Sequence, residues 1–584
     1  MIGRSKNILP NYAGVWLAVI AVLLVIARHM WVVAQKPAHI LEIADELGSL
    51  NQIIDDVYPD PSNTRLVFSQ MTDDGTGIYF YNLAGGKRKL VCEQKAKGWS
   101  DWSAQHFKMV GWSPDDTLFA CAFPTHDPQQ PEEEILICDA HTGEVVTKLG
   151  VDSKFVEFTW LTPTSFAYTY WNSDQHNIAV ITQKSEKEWI QTQVFRGVGT
   201  LDKELAGFTA MASDSVAWRE GGSLWTLDFA SGAARKIWDS TTNQLMEFTC
   251  SRDDQQLLLN CIDDKGQNLI RLDPHAQSVS DLGRVSDRTN AVHNAVWTGQ
   301  GARYAYVGLD HGAGVFYIKP SVTADPLRVP WPGLVISFCL NGDHLYVLGD
   351  EPNQAPGVWD CDIHSGESRL VLSDLEQPLK YAKIAGPTPH VFTNSSGGQG
   401  RYFVSQPTAI IAGKKYPLII GQDPHLWWEP LTQVAANGGC YCVLVDRPSW
   451  WENLDNFKKD VLQVYEIMVK NPDIDPARVY LYGTSAETPY ASELLSEKPD
   501  IWNAAILFSP VATPDVSQVR ISKLLLVGGT SDGGIVKKLT AYQDDAAQAG
   551  FSVTLDFLQG AGHVAQARGS VRERLETLAG FISE

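Results

Sequence analysis

Short apolar runs alternate with polar turns through residues 52 to 376, in a unit that recurs. Each copy opens on a turn, often Ser-Pro-Asp-like, and continues into an apolar strand. A loop follows, then a second strand that ends in an acidic or Gly-containing turn. The clearest copy is Trp112-Ser113-Pro114-Asp115-Asp116-Thr117-Leu118-Phe119-Ala120, then Ile135-Leu136-Ile137-Cys138-Asp139-Ala140-His141-Thr142-Gly143-Glu144. Its upstream neighbour is Thr64-Arg65-Leu66-Val67-Phe68 with Gly77-Ile78-Tyr79-Phe80-Tyr81-Asn82-Leu83. Further first strands lie at Phe166–Thr169, Val216–Trp218, Leu257–Leu259, Tyr304–Val307 and Leu345–Leu348, with second strands at Ile178–Ile181, Leu224–Leu227, Leu269–Leu272, Val315–Ile318 and Val358–Ile363. Successive first strands are about 41 to 52 residues apart, the period of four-stranded propeller blades. Seven copies are visible. An eighth is open near Phe392, although Gly400-Arg401-Tyr402-Phe403 reads better as a hairpin leading out. One blade cannot bury its sheet face alone, so the pattern predicts a closed all-β propeller over 37–399.

At Lys415 the pattern changes. Tyr416–Gly421 reads as a buried strand, followed by the loop Gln422-Asp423-Pro424-His425-Leu426-Trp427-Trp428. Helical sequence from Leu431 leads to a second buried strand at Tyr441–Val445. A helix over Asn456–Lys470 places Val461, Val464, Tyr465 and Met468 on one face. Strands at Val479–Tyr482, Ala504–Phe508, Lys523–Gly528 and Ser552–Phe557 alternate with further helical stretches. The outline is a doubly wound, mostly parallel sheet over 400–584.

The chain begins differently again. Residues 13 to 27 carry no charge, and apolar character resumes from Met30 to Ala34 after Arg28 and His29. A spanning helix needs about 20 residues, and Arg28 near the end of the run can snorkel to the headgroups. The first reading is an uncleaved single-pass transmembrane helix, with 1–36 as cytoplasmic tip and anchor. Arg4 and Lys6 favour a cytoplasmic N-terminus, while Arg28 and Lys36 weaken that preference. A cleaved signal segment ending near Val32-Val33-Ala34 and a buried helix are the alternatives. The first two place the bulk of the chain in a periplasmic or extracellular space.

Composition changes this picture only at the margins. A length of 584 residues suits two large domains. A formal net charge of −21 repels polyphosphate and argues against nucleic acid as a partner. Nine cysteines, without a Cys-x-x-Cys pair, sit mostly inside apolar runs and read as buried thiols. Cys440-Tyr441-Cys442 has too few partners nearby for zinc. No metal or cofactor is implied, and homo-oligomer formation is left open.

The candidate chemistry centres on Tyr480-Leu481-Tyr482-Gly483-Thr484-Ser485-Ala486-Glu487. An apolar run ends in a Gly-x-Ser turn, and helical sequence follows. This resembles the nucleophile elbow of α/β-hydrolases, where a strained strand-to-helix turn exposes a serine hydroxyl. The propeller resembles that of dipeptidyl-peptidase-IV-like proteins. Residues 400–584 resemble the catalytic domain of the prolyl oligopeptidase family of serine peptidases. Tyr416-Pro417-Leu418 is similar to the family's first strand, Asp446-Arg447 to its Asn/Asp-x-Arg-Gly stretch, and Asp475–Arg478 to the Asp-x-x-Arg before the elbow. Propeller first and hydrolase last is also the family's order.

The resemblance implies a triad. Gly529-Thr530-Ser531-Asp532-Gly533-Gly534-Ile535 resembles the family's Gly-x-x-Asp-x-x-Val and makes Asp532 the acid. Gly560-Ala561-Gly562-His563 resembles its Gly-x-Gly-His and makes His563 the base. A serine hydroxyl needs a base within hydrogen-bond reach. A histidine with an unperturbed pKa of about 6.5 can take and return the proton, and the acid fixes its tautomer. The Ala486 N–H, at a helix N-terminus, is the candidate oxyanion donor.

This chain departs from the family in three ways. Glu487 stands where a glycine usually allows close helix–strand packing. It reads as an acid beside the oxyanion, as a grip on a substrate amine, or as a first-turn acid favoured by the helix dipole. The family's oxyanion tyrosine has no counterpart in Gly421-Gln422-Asp423-Pro424. The segment between Ser485 and Asp532 is short. Gln422, Trp427, Arg447 and Glu487 are candidate substrate contacts. Trp428, Trp450 and Trp451 read as pocket lining or as packing, and the propeller's Glu132-Glu133-Glu134 reads as a solvated loop or an amine site. The expected activity is a membrane-anchored serine peptidase acting on short peptides. An esterase acting on small esters, or an inactive propeller–hydrolase scaffold, are the alternatives.

Overall fold

The computed structural model describes residues 54–582 apart from stretches between elements, the longer of which include 96–109, 125–132, 287–295, 374–382, 423–429, 447–453 and 560–575. The apolar N-terminal run lies outside the described residues. Among those residues, no helix is long and apolar enough to cross a membrane.

The middle of the chain forms seven antiparallel sheets of four consecutive strands each. They are β1–β4 (54–95), β5–β8 (110–151), β9–β12 (155–200), β13–β16 (205–238), β17–β20 (244–286), β21–β24 (296–331) and β25–β28 (335–373). The two strands that the sequence pattern marks in each copy are the central pair of each sheet. In the second blade these are β6 (Leu118–Pro124) and β7 (Glu133–Asp139). Central strands pack a neighbouring blade on both faces, so Phe119, Ala120, Cys121 and Ala122 are all buried in succession. Outer strands are half wet: β4 (Lys87–Lys95) reads KRKLVCEQK and β16 (Ala233–Trp238) is largely exposed.

The ring closes by side-chain packing between its first and seventh blades. Leu66, Phe68 and Tyr81 meet Tyr346, Leu348, Val358 and Leu372. Burying a side chain of this kind stabilises by about 1.5–3 kcal/mol, so each blade depends on its neighbours. Polar bonds complete the seam. Asn63 Nδ2 donates to Asn341 O at 2.9 Å, and Asn341 Nδ2 donates to Asp60 O at 2.6 Å. Asp60 is itself fully buried and accepts from Arg65 Nε at 2.7 Å, while Arg65 Nη1 reaches Ala140 O in the second blade at 2.6 Å.

Two expectations are corrected here. Phe392 lies on β29 (Thr388–Thr393), which pairs with β30 (Gln399–Ser405) in the C-terminal sheet, so there is no eighth blade at that point and that sheet starts upstream of residue 400. The hairpin reading is the one that holds, because β29 continues the β30 ladder and belongs to no propeller sheet. Glu133 and Glu134 open strand β7 and do not lie in a loop, and Glu134 pairs across the ladder with Lys148 at 3.4 Å. Glu132 lies outside the described residues.

The C-terminal sheet has eight strands in the order β29-β30-β32-β31-β33-β34-β35-β36. The remaining six are β31 (Tyr416–Gln422), β32 (Tyr441–Val445), β33 (Ile474–Thr484), β34 (Ala504–Phe508), β35 (Lys523–Gly529) and β36 (Val553–Leu558). These six run parallel, and the β29–β30 hairpin is antiparallel. Alternate residues of each strand face opposite layers. Leu418, Ile420, Leu481, Leu507 and Leu526 pack under α2 (Leu454–Met468), α3 (Thr488–Glu497) and α4 (Ile535–Gln548). Ile419, Tyr480, Ile506 and Leu525 face α1 (Pro430–Asn437) and the last helix, 576–582. Chain order reverses between β31 and β33, which places the crevice of an open parallel sheet at their carboxyl ends.

Candidate active site

The elbow takes the strained form that its sequence suggests. Strand β33 ends at Thr484, and Ser485 has φ 46°, in the left-handed region, before the 3₁₀ turn Ser485–Glu487 and helix α3. A non-glycine residue there costs about 1–3 kcal/mol and persists only where its surroundings over-determine it. Several contacts do so. Gly483 lets α3 come close, since a Cβ on it would lie 3.2 Å from Ala491 Cβ. Tyr490 Oη donates to Tyr482 O at 2.8 Å. Thr488 Oγ1 donates to Ser485 O at 2.7 Å.

The ends of β33 are fixed from below as well. Arg478 Nε pairs with Asp475 at 2.8 Å, and its Nη2 donates to Lys415 O at 2.9 Å. This ties the start of the elbow strand to the start of β31. Lys458 on α2 bonds Glu493 and Glu497 on α3, each at 2.7 Å. Burial works to lower the Lys458 pKa, but bonds to Glu493, Glu497 and Asp455 outweigh it and hold the ammonium above its usual value.

The sheet register assembles the rest. Thr484 lies opposite Phe508, and Phe508 opposite Val527. Ser485 and Asp532 therefore follow strands one position apart from a shared neighbour, at the same edge of the sheet, about 10 Å between strand axes at 4.8 Å per step. Asp532 is partly exposed in the turn that starts α4, where its N–H bonds Gly529 O at 3.1 Å. Ile420 lies opposite Leu481, which brings the end of β31, and Gln422 with it, beside the elbow. Ala486 is exposed at the start of the turn, where the first N–H groups of a helix have no partner within it.

Glu487 is 2% exposed, and its Oε2 accepts the Thr484 N–H at 3.2 Å. This bond caps its own turn, an arrangement compatible with the first-turn acid among its three readings. Asp446, next to Arg447 in the sequence, is buried against Arg401 at 2.9 Å. His563, Trp427 and Arg447 lie outside the described residues, as do Trp428, Trp450 and Trp451. No group of three or more metal-type ligands occurs among the described residues.

Two residues of this edge escaped the sequence reading. Thr488 sits behind the elbow, and Ser509 follows β34 with φ 41° and a buried hydroxyl. Neither belongs to a motif. The only available signal was position, since each stands near the carboxyl end of a central strand.

No protein-family model matches the sequence, and no curated protein matches it. Solved structures do. An acylaminoacyl peptidase in complex with Z-Gly-Gly-Phe-chloromethyl ketone is 14% identical, with 91% of this chain and 95% of that chain covered and a TM-score of 0.66. A puromycin hydrolase variant complexed with PGG is 13% identical over 89% and 93%, at 0.68. The fold is that of prolyl oligopeptidase-type structures. Prolyl oligopeptidase B from Galerina marginata, bound to a 25mer macrocyclization substrate, is 12% identical over 94% and 91%, at 0.67. The likeness spans both the propeller and the hydrolase sheet.

Proposed function

We propose that the chain is a serine-type peptidase acting on short peptides. The observation that carries this reading is Ser485, held at φ 46° between a parallel strand and a helix N-terminus. Strain of this kind is costly and concentrates where a nucleophile is presented. Ser485 Oγ attacks the scissile carbonyl as His563 takes its proton, and Asp532 holds the imidazole in the right tautomer. The Ala486 N–H stabilises the oxyanion. The C–N bond then breaks, His563 returns the proton to the leaving amine, and water releases the acyl group from Ser485. The solved neighbours captured with peptide-like ligands support a peptide as substrate. The uncharged run of residues 13 to 27 supports an N-terminal membrane anchor, with both domains outside the cytoplasm.

A fluorophosphonate probe tests the nucleophile. Wild type should label and Ser485→Ala should not. Absence of labelling in wild type would favour the inactive scaffold, a reading supported by the missing tyrosine after β31. Peptide amides against short acyl esters then separate a peptidase from an esterase.

A further inference from the structure

Thr488 occupies a junction that the elbow motif does not specify. It is fully buried at the first position of α3. Both its N–H and its hydroxyl reach Ser485 O, the hydroxyl at 2.7 Å. The same hydroxyl oxygen accepts the N–H of Val511 at 3.1 Å and of Ala512 at 3.2 Å. A hydroxyl has one proton and two lone pairs, so this one is saturated.

The segment it grips follows β34, the strand between those that carry Ser485 and Asp532. That segment is itself well anchored. Ser492 Oγ donates to Ala512 O at 3.3 Å, and Lys538 Nζ on α4 donates to Pro510 O at 3.3 Å and Val511 O at 2.8 Å. The Ser509 N–H donates to Val527 O at 2.7 Å. One hydroxyl thus joins the strained elbow to a loop fixed from α3, α4 and β35.

We propose that Thr488 is a positioning residue that aims the oxyanion donor. The proposal rests on the hydrolase reading above. A trans peptide is planar, with its C=O and N–H pointing in opposite directions. The Ser485 carbonyl and the Ala486 N–H belong to one such plane. Holding the Ser485 oxygen inward, toward Thr488, therefore turns the Ala486 N–H outward, to the face where a substrate carbonyl would lie. The left-handed Ser485 backbone would otherwise relax, and the donor would swing with it. A preorganised donor is effective because it does not reorient during the reaction.

The test compares Thr488→Val and Thr488→Ser with wild type. Thr488→Val keeps the shape and removes the hydroxyl, whereas Thr488→Ser restores it. The readouts are the fluorophosphonate labelling rate and, on a cleaved peptide amide, kcat and KM separately. Val464→Ala, which opens a cavity under α2 away from the elbow, controls for lost stability. Thr488→Val should label roughly 10- to 100-fold more slowly and lose kcat by a similar factor, with KM within about threefold. Thr488→Ser should return to within about threefold of wild type, and Val464→Ala should keep the wild-type rate. Equal labelling of Thr488→Val and wild type overturns the positioning role alone. So does a loss that Thr488→Ser fails to repair or that Val464→Ala reproduces. A wild type that never labels overturns the hydrolase reading, and this role with it.

Discussion

The Glu487 carboxylate accepts the N–H of Thr484 across its own turn, at 3.2 Å, in a position 2% exposed. An acid in this place is a local cap for the strand-to-helix turn. Glu487→Gln keeps an acceptor and should leave labelling and KM close to wild type. Glu487→Ala leaves a buried N–H unsatisfied and should cost about 1–2 kcal/mol, read as a lower unfolding midpoint in urea. A large rise in KM for Glu487→Gln would instead show that the carboxylate grips a substrate amine.

Backbone strain at Ser485 separates stability from activity. Glycine adopts φ 46° without a Cβ penalty. Ser485→Gly should abolish labelling and yet raise stability by about 1 kcal/mol, the relieved strain exceeding the entropy that glycine loses on folding. Thermal unfolding of the two proteins side by side checks the sign. An unchanged or lower midpoint would mean that the turn is not strained.

Gly421, at the end of β31, is needed for close approach. A Cβ on it would lie 2.6 Å from Tyr482 Cδ1 on the elbow strand. Gly421→Ala should therefore push Tyr482 aside, cost about 1–3 kcal/mol and slow labelling. Measuring both shows whether the disturbance reaches Ser485.

Asp60 predicts an acid sensitivity of the propeller seam. Burial alone would raise its pKa, but bonds from Ser62, the Arg65 backbone and side chain, and Thr64 outweigh burial and hold it below 3.8. A depressed folded pKa gives stability that is complete above the unfolded value and is lost as pH falls through the folded one. Asp60→Asn should lower stability by roughly 3 kcal/mol at pH 7, because Arg65 loses its most buried partner. The gap to wild type should narrow as pH is lowered below about 3.8. Unfolding midpoints at pH 7 and at acid pH report both effects.

The central strand pairs of the seven blades and the parallel strands of the hydrolase sheet were legible in the residues. Strands buried on both faces need continuous apolar runs, and Phe119–Ala122 and Leu524–Val527 are short, fully buried runs bounded by turn residues. The outer blade strands were not legible. In β4, Lys87 and Lys89 are exposed and Arg88 is half-buried over Phe68, so the short run Leu90-Val91-Cys92 is flanked by charge, and its ladder with β3 (Gly75–Asn82) makes it a strand.

The site divides along the same line. Sequence alone determined that Gly483 and Ser485 form a strand-to-helix turn, because the motif is local and its spacing is set by covalent geometry. It also marked Asp532 after a buried strand. Tertiary structure buried Glu487 and brought its carboxylate to the Thr484 N–H, a bond no sequence pattern marks. It also decided the role of Thr488, whose partners Val511 and Ala512 lie more than twenty residues away in sequence and come within 3.1 and 3.2 Å only when β33 and β34 pair. Hydrogen bonds of that separation leave no periodicity to read, so the brace behind Ser485 exists only in the folded sheet.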